Sequence, residues 1–291
     1  MLTLISRDVV KGFWPLWSVI GLLLLALIWP NSGLDINLLL RNMPPSLTHP
    51  FGTDWLGRDM LTRSLKALLT SLSLAGFAVV LSSVLALIIA ACAMTHRWVR
   101  QAVELLVDVS LSLPHLLLLI LLSLAFGGSS IGLIAAIALS HWPRIARLLM
   151  FEMHSVSNTV YFQLALQFGQ PRWRVFCRHL VPYIIPQWLT GALVMLPFAL
   201  SHMAALTFLG FGLDPSSPSM GVILSQASRY FLAGDWWLAV LPGALLVVTL
   251  LLLSAVAHQI TLRIRGQHHQ AKKTSSITTP SEWRGNVNAE R

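Results

Sequence analysis

Residues 68–94 read LLTSLSLAGFAVVLSSVLALIIAACAM and contain no charged side chain. A helix needs about 20 predominantly apolar residues to cross a hydrocarbon layer ~30 Å thick, and this stretch exceeds that length. Because no water reaches the backbone inside a bilayer, a spanning segment must pair its own polar groups as a helix. The stretch therefore predicts a transmembrane helix.

Comparable apolar stretches recur along the chain, and we predict six spans in all. They cover residues 13–29, 68–94, 103–126, 131–142 with an extension as far as 150, 183–209 and 236–262. The first could be mistaken for a secretory leader, but it ends at Trp29-Pro30 without a small-residue cleavage pattern, so we interpret it as an uncleaved anchor. The predicted fold class is all-α, a polytopic membrane protein with about six transmembrane helices.

The composition excludes several classes of protein. Hydrophobic residues make up 55% of the 291 residues and charged residues 11%, whereas a soluble domain carries about 25% charged residues. This excludes a water-soluble globule, a disordered chain and a nucleic-acid-binding domain, despite a formal net charge of +9. With the N-terminus inside, three quarters of the 20 Lys and Arg residues fall on the cytoplasmic side, which predicts cytoplasmic N- and C-termini.

Three parts of the chain follow from this topology. Residues 1–66 form an N-terminal anchor helix and an external loop, residues 67–265 a membrane core with a cytoplasmic loop at 151–182, and residues 266–291 a disordered cytoplasmic tail. The sequence has no phosphate-binding loop, no H-E-x-x-H motif, no G-x-S-x-G motif and no acidic residue deep within a predicted span. We therefore expect a chain without catalytic residues, which uses an external energy source or acts passively.

The cytoplasmic loop has the pattern of two short helices separated by Gly169. Ser157 or Asn158 is placed to cap the first helix, over residues 159–168, and Pro171 suits the first position of the second. An exposed amphipathic pair of this kind suits insertion into a groove on a partner. The alternative is an interfacial pair bound to anionic lipid headgroups.

The second helix is expected to end at Pro182, and the same segment resembles the coupling loop of ABC importer permeases. The pattern in that family is E-A-A, three residues, Gly, and a gap that closes on a hydrophobic-Pro step. This chain keeps Ala165, Gly169 and Pro182 and departs from the pattern at Gln163 and Leu164. In that family the loop docks on the ATP-binding subunit. The resemblance implies these ATPase-coupling residues: Gln163, Ala165, Gly169, Arg172, Arg174, Arg178 and Pro182.

A second resemblance lies at residues 49–63, HPFGTDWLGRDMLTR. This stretch resembles the H-P-x-G-T-D-x-x-G-R-D-x-x-[ST]-R signature of the C-type subunit in dipeptide, oligopeptide and nickel permeases. The residues themselves predict a rigid turn without ligand contact, in which Asp54 caps and both Arg58 and Asp59 form local ion pairs. The signature residues are Gly52, Thr53, Asp54, Gly57, Arg58, Asp59 and Arg63.

Residues 204–212 and 218–224 resemble a further segment of the same family, and His202 stands just before it. Oligopeptide permeases often have Glu near that place, whereas the nickel permease resembles this chain in carrying His. Imidazole suits nickel, zinc and copper, although a histidine in a span more often forms an interhelical hydrogen bond. Histidines in or near the predicted spans are His115, His141, His202 and His258. The candidate substrate-path residues are His141, His202 and Phe208, and no residue is assigned as a metal ligand.

The resemblance implies a type I ABC importer permease in a bacterial inner membrane, which translocates peptides or nickel and metal chelates by alternating access. The implied partners are a homologous permease subunit in a heterodimer, two ATP-binding subunits, an extracytoplasmic substrate-binding protein and membrane lipid, with no nucleic acid. No cofactor is expected on this chain, because ATP and Mg are held by the partner subunits. The alternatives are a secondary transporter or channel that is not coupled to an ATPase, and a membrane-anchored scaffold or sensor.

Overall fold

The computed structural model describes residues 14–212, 218–231 and 233–277, with the backbone alone for residues 161, 172, 179 and 265–277. These ranges fold mainly into helices and contain no strand, which confirms the predicted all-α class. The α-helices are α1 (Trp14–Ile28), α2 (Met60–Ala93), α3 (Arg97–Ser112), α4 (His115–Ala125), α5 (Ser130–Ser157), α6 (Val160–Gln167), α7 (Arg172–Val175), α8 (Val181–Phe208), α9 (Met220–Phe231) and α10 (Trp237–Ile277). Two 3₁₀ turns, Asn31–Leu34 and Leu38–Leu40, lie between α1 and α2, and a π-helical turn, Phe176–Leu180, joins α7 to α8.

Four helices are long and apolar enough to cross a membrane, namely α2, α5, α8 and the part of α10 over Trp237–Ile264. Helices α3 and α4 pass the same test only as a pair, and α1 is shorter, with 15 residues. Each of the six predicted spans therefore falls on a helix or a helix pair. The described ranges hold four full spans, or five if the pair is one span, where the sequence predicts about six.

The predicted span at residues 103–126 is not a straight helix. The chain bends by 102° between α3 and α4. Leu113 has extended backbone angles, with φ −75° and ψ 144°, because the ring of Pro114 disfavours the helical conformation in the residue before it. The prediction of one continuous helix is therefore wrong, and α4 restarts at His115 with a new direction.

Two further boundaries differ from the predicted spans. Helix α2 begins at Met60 rather than at residue 68, because the Asp59 side chain caps it by accepting from the backbone N–H of Thr62. Helix α5 continues to Ser157, beyond the predicted limit at residue 150. Both helices therefore extend beyond the apolar stretches that hydropathy identifies.

The predicted tail also begins later than expected. Helix α10 runs to Ile277, so the backbone of residues 266–277 is helical rather than disordered. This stretch contains two Gln and two Lys, which favour helices although they are not apolar. Residues 278–291 of the predicted tail lie outside the described residues.

Two clusters of buried apolar side chains hold the bundle together. The larger joins α2, α5, α8, α9 and α10 and includes Leu68, Leu133 and Leu200. The smaller joins the later halves of α2 and α5 to the start of α8 and includes Ala90 and Leu149. Small side chains let helix backbones approach closely, and α2 presents buried alanines along its length at Ala67, Ala75, Ala78, Ala86 and Ala90.

Candidate functional site

A network of buried charges organises residues 49–63, which we call the signature turn. Asp54 is fully buried and accepts hydrogen bonds from two arginine side chains. Arg58 donates from Nε and from a terminal guanidinium nitrogen, both at 2.8 Å, and Arg63 donates at 2.9 Å. The backbone N–H groups of Leu56 and Arg58 donate to the other Asp54 oxygen at 2.8 and 3.0 Å. Both carboxylate oxygens of Asp54 are therefore occupied within the turn.

Asp59 connects the signature turn to the first turn of α2. One of its oxygens accepts from the backbone N–H and the hydroxyl of Thr62, at 2.8 and 2.6 Å. The other lies 3.1 Å from Nδ1 of His49. The structure thus contains the local ion pair predicted for Arg58, with Asp54, and a polar contact of Asp59 with the His49 ring.

The signature turn also contacts α9, which is distant in sequence. Arg63 donates to the side-chain oxygen of Gln226 at 2.5 Å. The Trp55 ring stacks on Tyr230, with ring centroids 5.2 Å apart, and the Arg63 guanidinium lies 4.9 Å above the Trp55 ring. These contacts tie the start of α2 to α9. The absence of a ligand contact at this turn stays a prediction.

Backbone geometry in the signature turn requires glycine at two signature positions. Gly52 and Gly57 have φ values of +70° and +75°, a conformation that other residues rarely adopt. A Cβ added at Gly57 would lie 1.7 Å from the carbonyl oxygen of Asn37. The hydroxyl of Thr53 accepts from the backbone N–H of Met43 at 2.9 Å and donates to a nearby backbone carbonyl, so it too is used within the turn.

The chain between α5 and α8, which we call the α5–α8 connection (residues 158–180), contains the first predicted short helix. Helix α6 follows Thr159, within one residue of the predicted start. The predicted caps are wrong, since Ser157 ends α5 and neither it nor Asn158 caps α6. Gly169 has a φ of +76° and its N–H donates to the carbonyl of Leu166 at 3.1 Å, as expected of a helix-ending glycine.

The second predicted helix does not end at Pro182, where the sequence predicts its end. Helix α7 starts after Pro171, whose carbonyl accepts from the N–H groups of Arg174 and Val175 at 2.9 and 3.2 Å. The chain then passes through the π-helical turn directly into α8. Pro182 is the second residue of α8 and directly follows the π-helical turn. The second helix of the α5–α8 connection is therefore continuous with a membrane span.

The α5–α8 connection exposes a group of large apolar side chains, which we call the apolar patch. Phe168 is 82% exposed and Trp173 is 75% exposed. The patch consists of Val160, Leu164, Phe168 and Trp173. Among the predicted coupling residues, Gln163, Arg174 and Arg178 are exposed nearby, Ala165 is half-buried, and the Arg172 side chain lies outside the described ones. Exposed apolar surface rimmed by polar residues is typical of an interaction site.

Three histidine side chains from separate helices meet inside the bundle, and we call them the histidine trio. His115 begins α4, His141 lies fully buried in α5, and His202 lies in α8. Their ring centroids are 4.6 Å apart for His115 and His202, 4.9 Å for His115 and His141, and 5.3 Å for His141 and His202. One ring nitrogen from each can be chosen so that all three lie within 4.8 Å of one another. Within the described ranges, these side chains could hold a metal ion.

The structure brings together two of the three candidate substrate-path residues. His141 and His202 belong to the trio, whereas Phe208 lies at the end of α8 and is exposed. The sequence reasoning did not include His115 in the path. The feature of the sequence that pointed to the position of His115 was Pro114. This proline bends the chain and makes His115 the first residue of a helix with a new direction.

Comparisons with known proteins point to one family. Residues 82–266 match the family model described as "Binding-protein-dependent transport system inner membrane component". A protein of Brucella suis biovar 1 (strain 1330), named provisionally as a peptide transport system permease protein, is 30% identical over 81% of this chain and 83% of its own length. The probable D,D-dipeptide transport system permease protein DdpC of Escherichia coli (strain K12) is 30% identical over 76% and 73% of the two chains. The dipeptide transport system permease protein DppC of Bacillus subtilis (strain 168) is 27% identical over 76% and 69%.

The fold also resembles a solved structure. A crystal structure of an amino acid ABC transporter with histidines superposes with a TM-score of 0.56, covering 70% of this chain and 94% of the other. The sequence identity is 17%, so this likeness concerns the fold alone.

Proposed function

Since the chain belongs to the family of binding-protein-dependent transport system inner membrane components, we propose that it works as a permease subunit of an ATP-driven ABC importer. It is a multi-pass inner-membrane protein. Its relatives are ABC peptide permeases, the family that residues 49–63 and 163–182 resemble. The names of its relatives favour peptides as the substrate class. Nickel and other metal chelates are the second class that the sequence indicates.

The observation that carries the proposal is the apolar patch within the matched region. The family match covers the whole α5–α8 connection, and there Phe168 and Trp173 expose large apolar side chains. A soluble partner could bury these side chains, at about 25 cal/mol for each Å² removed from water. We propose that this partner is an ATP-binding subunit.

The geometry of the α5–α8 connection suits the transmission of movement. Helix α5 ends at Ser157, directly before the connection, and α8 leads out of it without a break, because α7 and the π-helical turn continue into α8. The same two helices carry His141 and His202. A displacement of the apolar patch would therefore tilt the helices that line the bundle interior. If the ATP-bound partner contacts the patch differently from the ATP-free partner, it shifts the balance between inward-open and outward-open states.

The remaining parts of the proposal concern partners and topology. A second, homologous permease would complete the translocation path as a heterodimer, and an extracytoplasmic binding protein would deliver the substrate. Two ATP-binding subunits would hold ATP and Mg, so this chain binds no cofactor and catalyses no reaction itself. Both termini and the α5–α8 connection would face the cytoplasm, as the distribution of Lys and Arg predicts. The proposal keeps the predicted division of the chain into an anchor with its external loop, a membrane core and a tail, with boundaries after residues 66 and 265.

Removing the apolar patch is expected to release the ATP-binding partner. The double variant Phe168→Ala/Trp173→Ala deletes two large exposed side chains of the kind that dominate interface energetics, at about 2 kcal/mol or more each. We expect at least a tenfold fall in the ATP-binding protein recovered with the affinity-purified chain, since about 1.4 kcal/mol corresponds to tenfold. Quantitative mass spectrometry and ATP hydrolysis in the eluate measure it.

The matched control for this experiment is Phe77→Ala. Phe77 is 62% exposed but lies in α2, within a span, where no soluble subunit could reach it. The control should retain the ATP-binding protein. Recovery of equal amounts with the double variant and the control, or of none with the unaltered chain, would contradict the proposal.

A further inference from the structure

We propose that His115, His141 and His202 form a three-imidazole binding site for a divalent late first-row transition-metal ion, carried as cargo through the bundle. The inference rests on the proposed importer function and specifies its substrate class. Neutral imidazole is a preferred ligand of nickel, copper and zinc. Three imidazoles leave coordination positions open for water or for groups of a chelator that accompanies the ion.

The first argument is the state of the ring nitrogens. In the described part of the chain, Nε2 of His115 and Nε2 of His141 are buried and have no hydrogen-bond partner. Leaving a buried polar atom unsatisfied typically costs about 1–3 kcal/mol. Two such atoms in one small cluster are unexpected if the trio only packs helices together, and a metal ion would satisfy both.

The second argument is the tautomer that the backbone selects. Nδ1 of His141 lies 2.9 Å from the carbonyl oxygen of Ile137, and Nδ1 of His202 lies 2.7 Å from that of Phe198. A carbonyl oxygen only accepts, so Nδ1 of His202 donates to it and the lone pair of that ring sits on Nε2. Nδ1 of His141 also lies 2.9 Å from the hydroxyl of Ser140, which can donate or accept; when Nδ1 donates to Ile137, the lone pair of this ring too sits on Nε2. Histidine ligands in metal sites are oriented by the same kind of hydrogen bond from the other ring nitrogen.

The third argument is distance. One ring nitrogen from each histidine, Nδ1 or Nε2, can be chosen so that all three lie within 4.8 Å of one another. Metal–imidazole bonds of about 2.0–2.1 Å place neighbouring ligand nitrogens about 3.0–3.4 Å apart. The most distant pair would therefore approach by up to about 1.4–1.8 Å around an ion. Since the rings meet edge to face rather than nitrogen to nitrogen, no hydrogen bond between them needs to be broken first.

The position of the trio suits a transported ion better than a structural one. At about 1.5 Å per residue, His141 lies roughly 16 Å from the start of α5, His115 roughly 15 Å from the end of α4 and His202 roughly 9 Å from the end of α8, so the trio lies inside the bundle rather than at its end. Arg144 adds a positive charge that acts electrostatically on all three rings. That charge weakens retention of a cation, and it could also pair with a carboxylate of a chelator. Tilting α5 against α8 would separate two ligands and release the ion.

The test measures metal binding by the complete complex, purified through a tag that contains no histidine. Isothermal titration with NiCl₂, and in a parallel arm with Ni²⁺–citrate, gives the affinity. X-ray absorption at the nickel edge reports whether imidazoles coordinate the ion. We expect His141→Gln and His202→Gln to weaken binding by about tenfold or more each. His258→Gln is the control, since His258 is exposed on α10 and lies outside the trio.

Every outcome decides the proposal. Binding that is lost in both trio variants supports the site. If NiCl₂ binds, the ion arrives hydrated; if only Ni²⁺–citrate binds, the ion arrives with its chelator. Absence of binding in both arms, or equal binding by the trio variants and His258→Gln, overturns it. His202 is half-buried, so His202→Gln remains informative if His141→Gln fails to fold. A complex that keeps its ATP-binding subunits but binds no nickel would refute this inference and leave the importer function intact.

Discussion

Replacing Asp54 with alanine is expected to reduce the folded chain in the membrane several-fold, because two arginines lose their shared carboxylate. Arg63 is buried and would keep only Gln226 as a side-chain hydrogen-bond partner. Removing one partner of a buried ion pair typically costs about 3–5 kcal/mol. The total stability of a protein is only about 5–15 kcal/mol. In the variant the backbone N–H groups of Leu56 and Arg58 also lose the carboxylate oxygen that accepts from them, so the signature turn loses its central hydrogen bonds.

Quantitative immunoblotting of isolated membranes and the unfolding midpoint in detergent measure this effect. Asp108→Ala is the matched control, because Asp108 pairs with Arg147 while its side chain is 64% exposed. Exposed ion pairs contribute about 0–1 kcal/mol. We expect Asp108→Ala to behave like the unaltered chain. Equal abundance and equal midpoints for the two variants would contradict the structural role assigned to Asp54.

Gly169→Val is expected to lower uptake about tenfold or more while the chain stays folded. Gly169 has a φ of +76°, and a Cβ added there meets nothing within 4 Å. A residue with a Cβ pays about 1–2 kcal/mol in the left-handed conformation, and a rotation of the backbone would relieve this strain. The rotation changes the angle between α6 and α7 and so disperses the apolar patch. A loss of about 1.4 kcal/mol in docking corresponds to tenfold.

Gly127→Val separates a loss of coupling from a loss of stability. Gly127 lies in the turn between α4 and α5, has a φ of +81°, and an added Cβ there also meets nothing within 4 Å. The two valines therefore impose similar strain at different places. Uptake of a radiolabelled dipeptide and of radioactive Ni²⁺, compared at equal amounts of chain, should fall only in Gly169→Val. Equal losses in both variants, or none in either, would remove the coupling role from Gly169.

Local signals in the sequence predicted the features that depend on neighbouring residues. Gly169 ends α6 and Pro171 precedes α7 as expected, because Gly and Pro restrict or relax the backbone within a few residues. Hydropathy likewise located every span. It did not locate the start of α2, because the cap formed by Asp59 depends on a hydrogen bond and not on apolar character.

Contacts between distant parts of the chain were beyond sequence reasoning. Hydropathy counts apolar residues and cannot distinguish a straight span from the pair α3 and α4, which bends by 102°. That bend brings His115 to His202, a neighbour that no spacing in the sequence predicts. The hydrogen bond from Arg63 to Gln226 joins residues 163 positions apart. A single sequence holds no pattern that pairs such positions.

Transport by the purified complex in proteoliposomes decides whether this chain works as part of an ATP-driven importer. The complex contains this chain, its partner permease and the ATP-binding subunits, with the binding protein outside and ATP enclosed within the vesicles. Substrate should accumulate only when ATP and the binding protein are both present, and Phe168→Ala/Trp173→Ala should abolish accumulation. Accumulation driven by a proton or sodium gradient without ATP, and unaffected by that double variant, would show instead a secondary transporter.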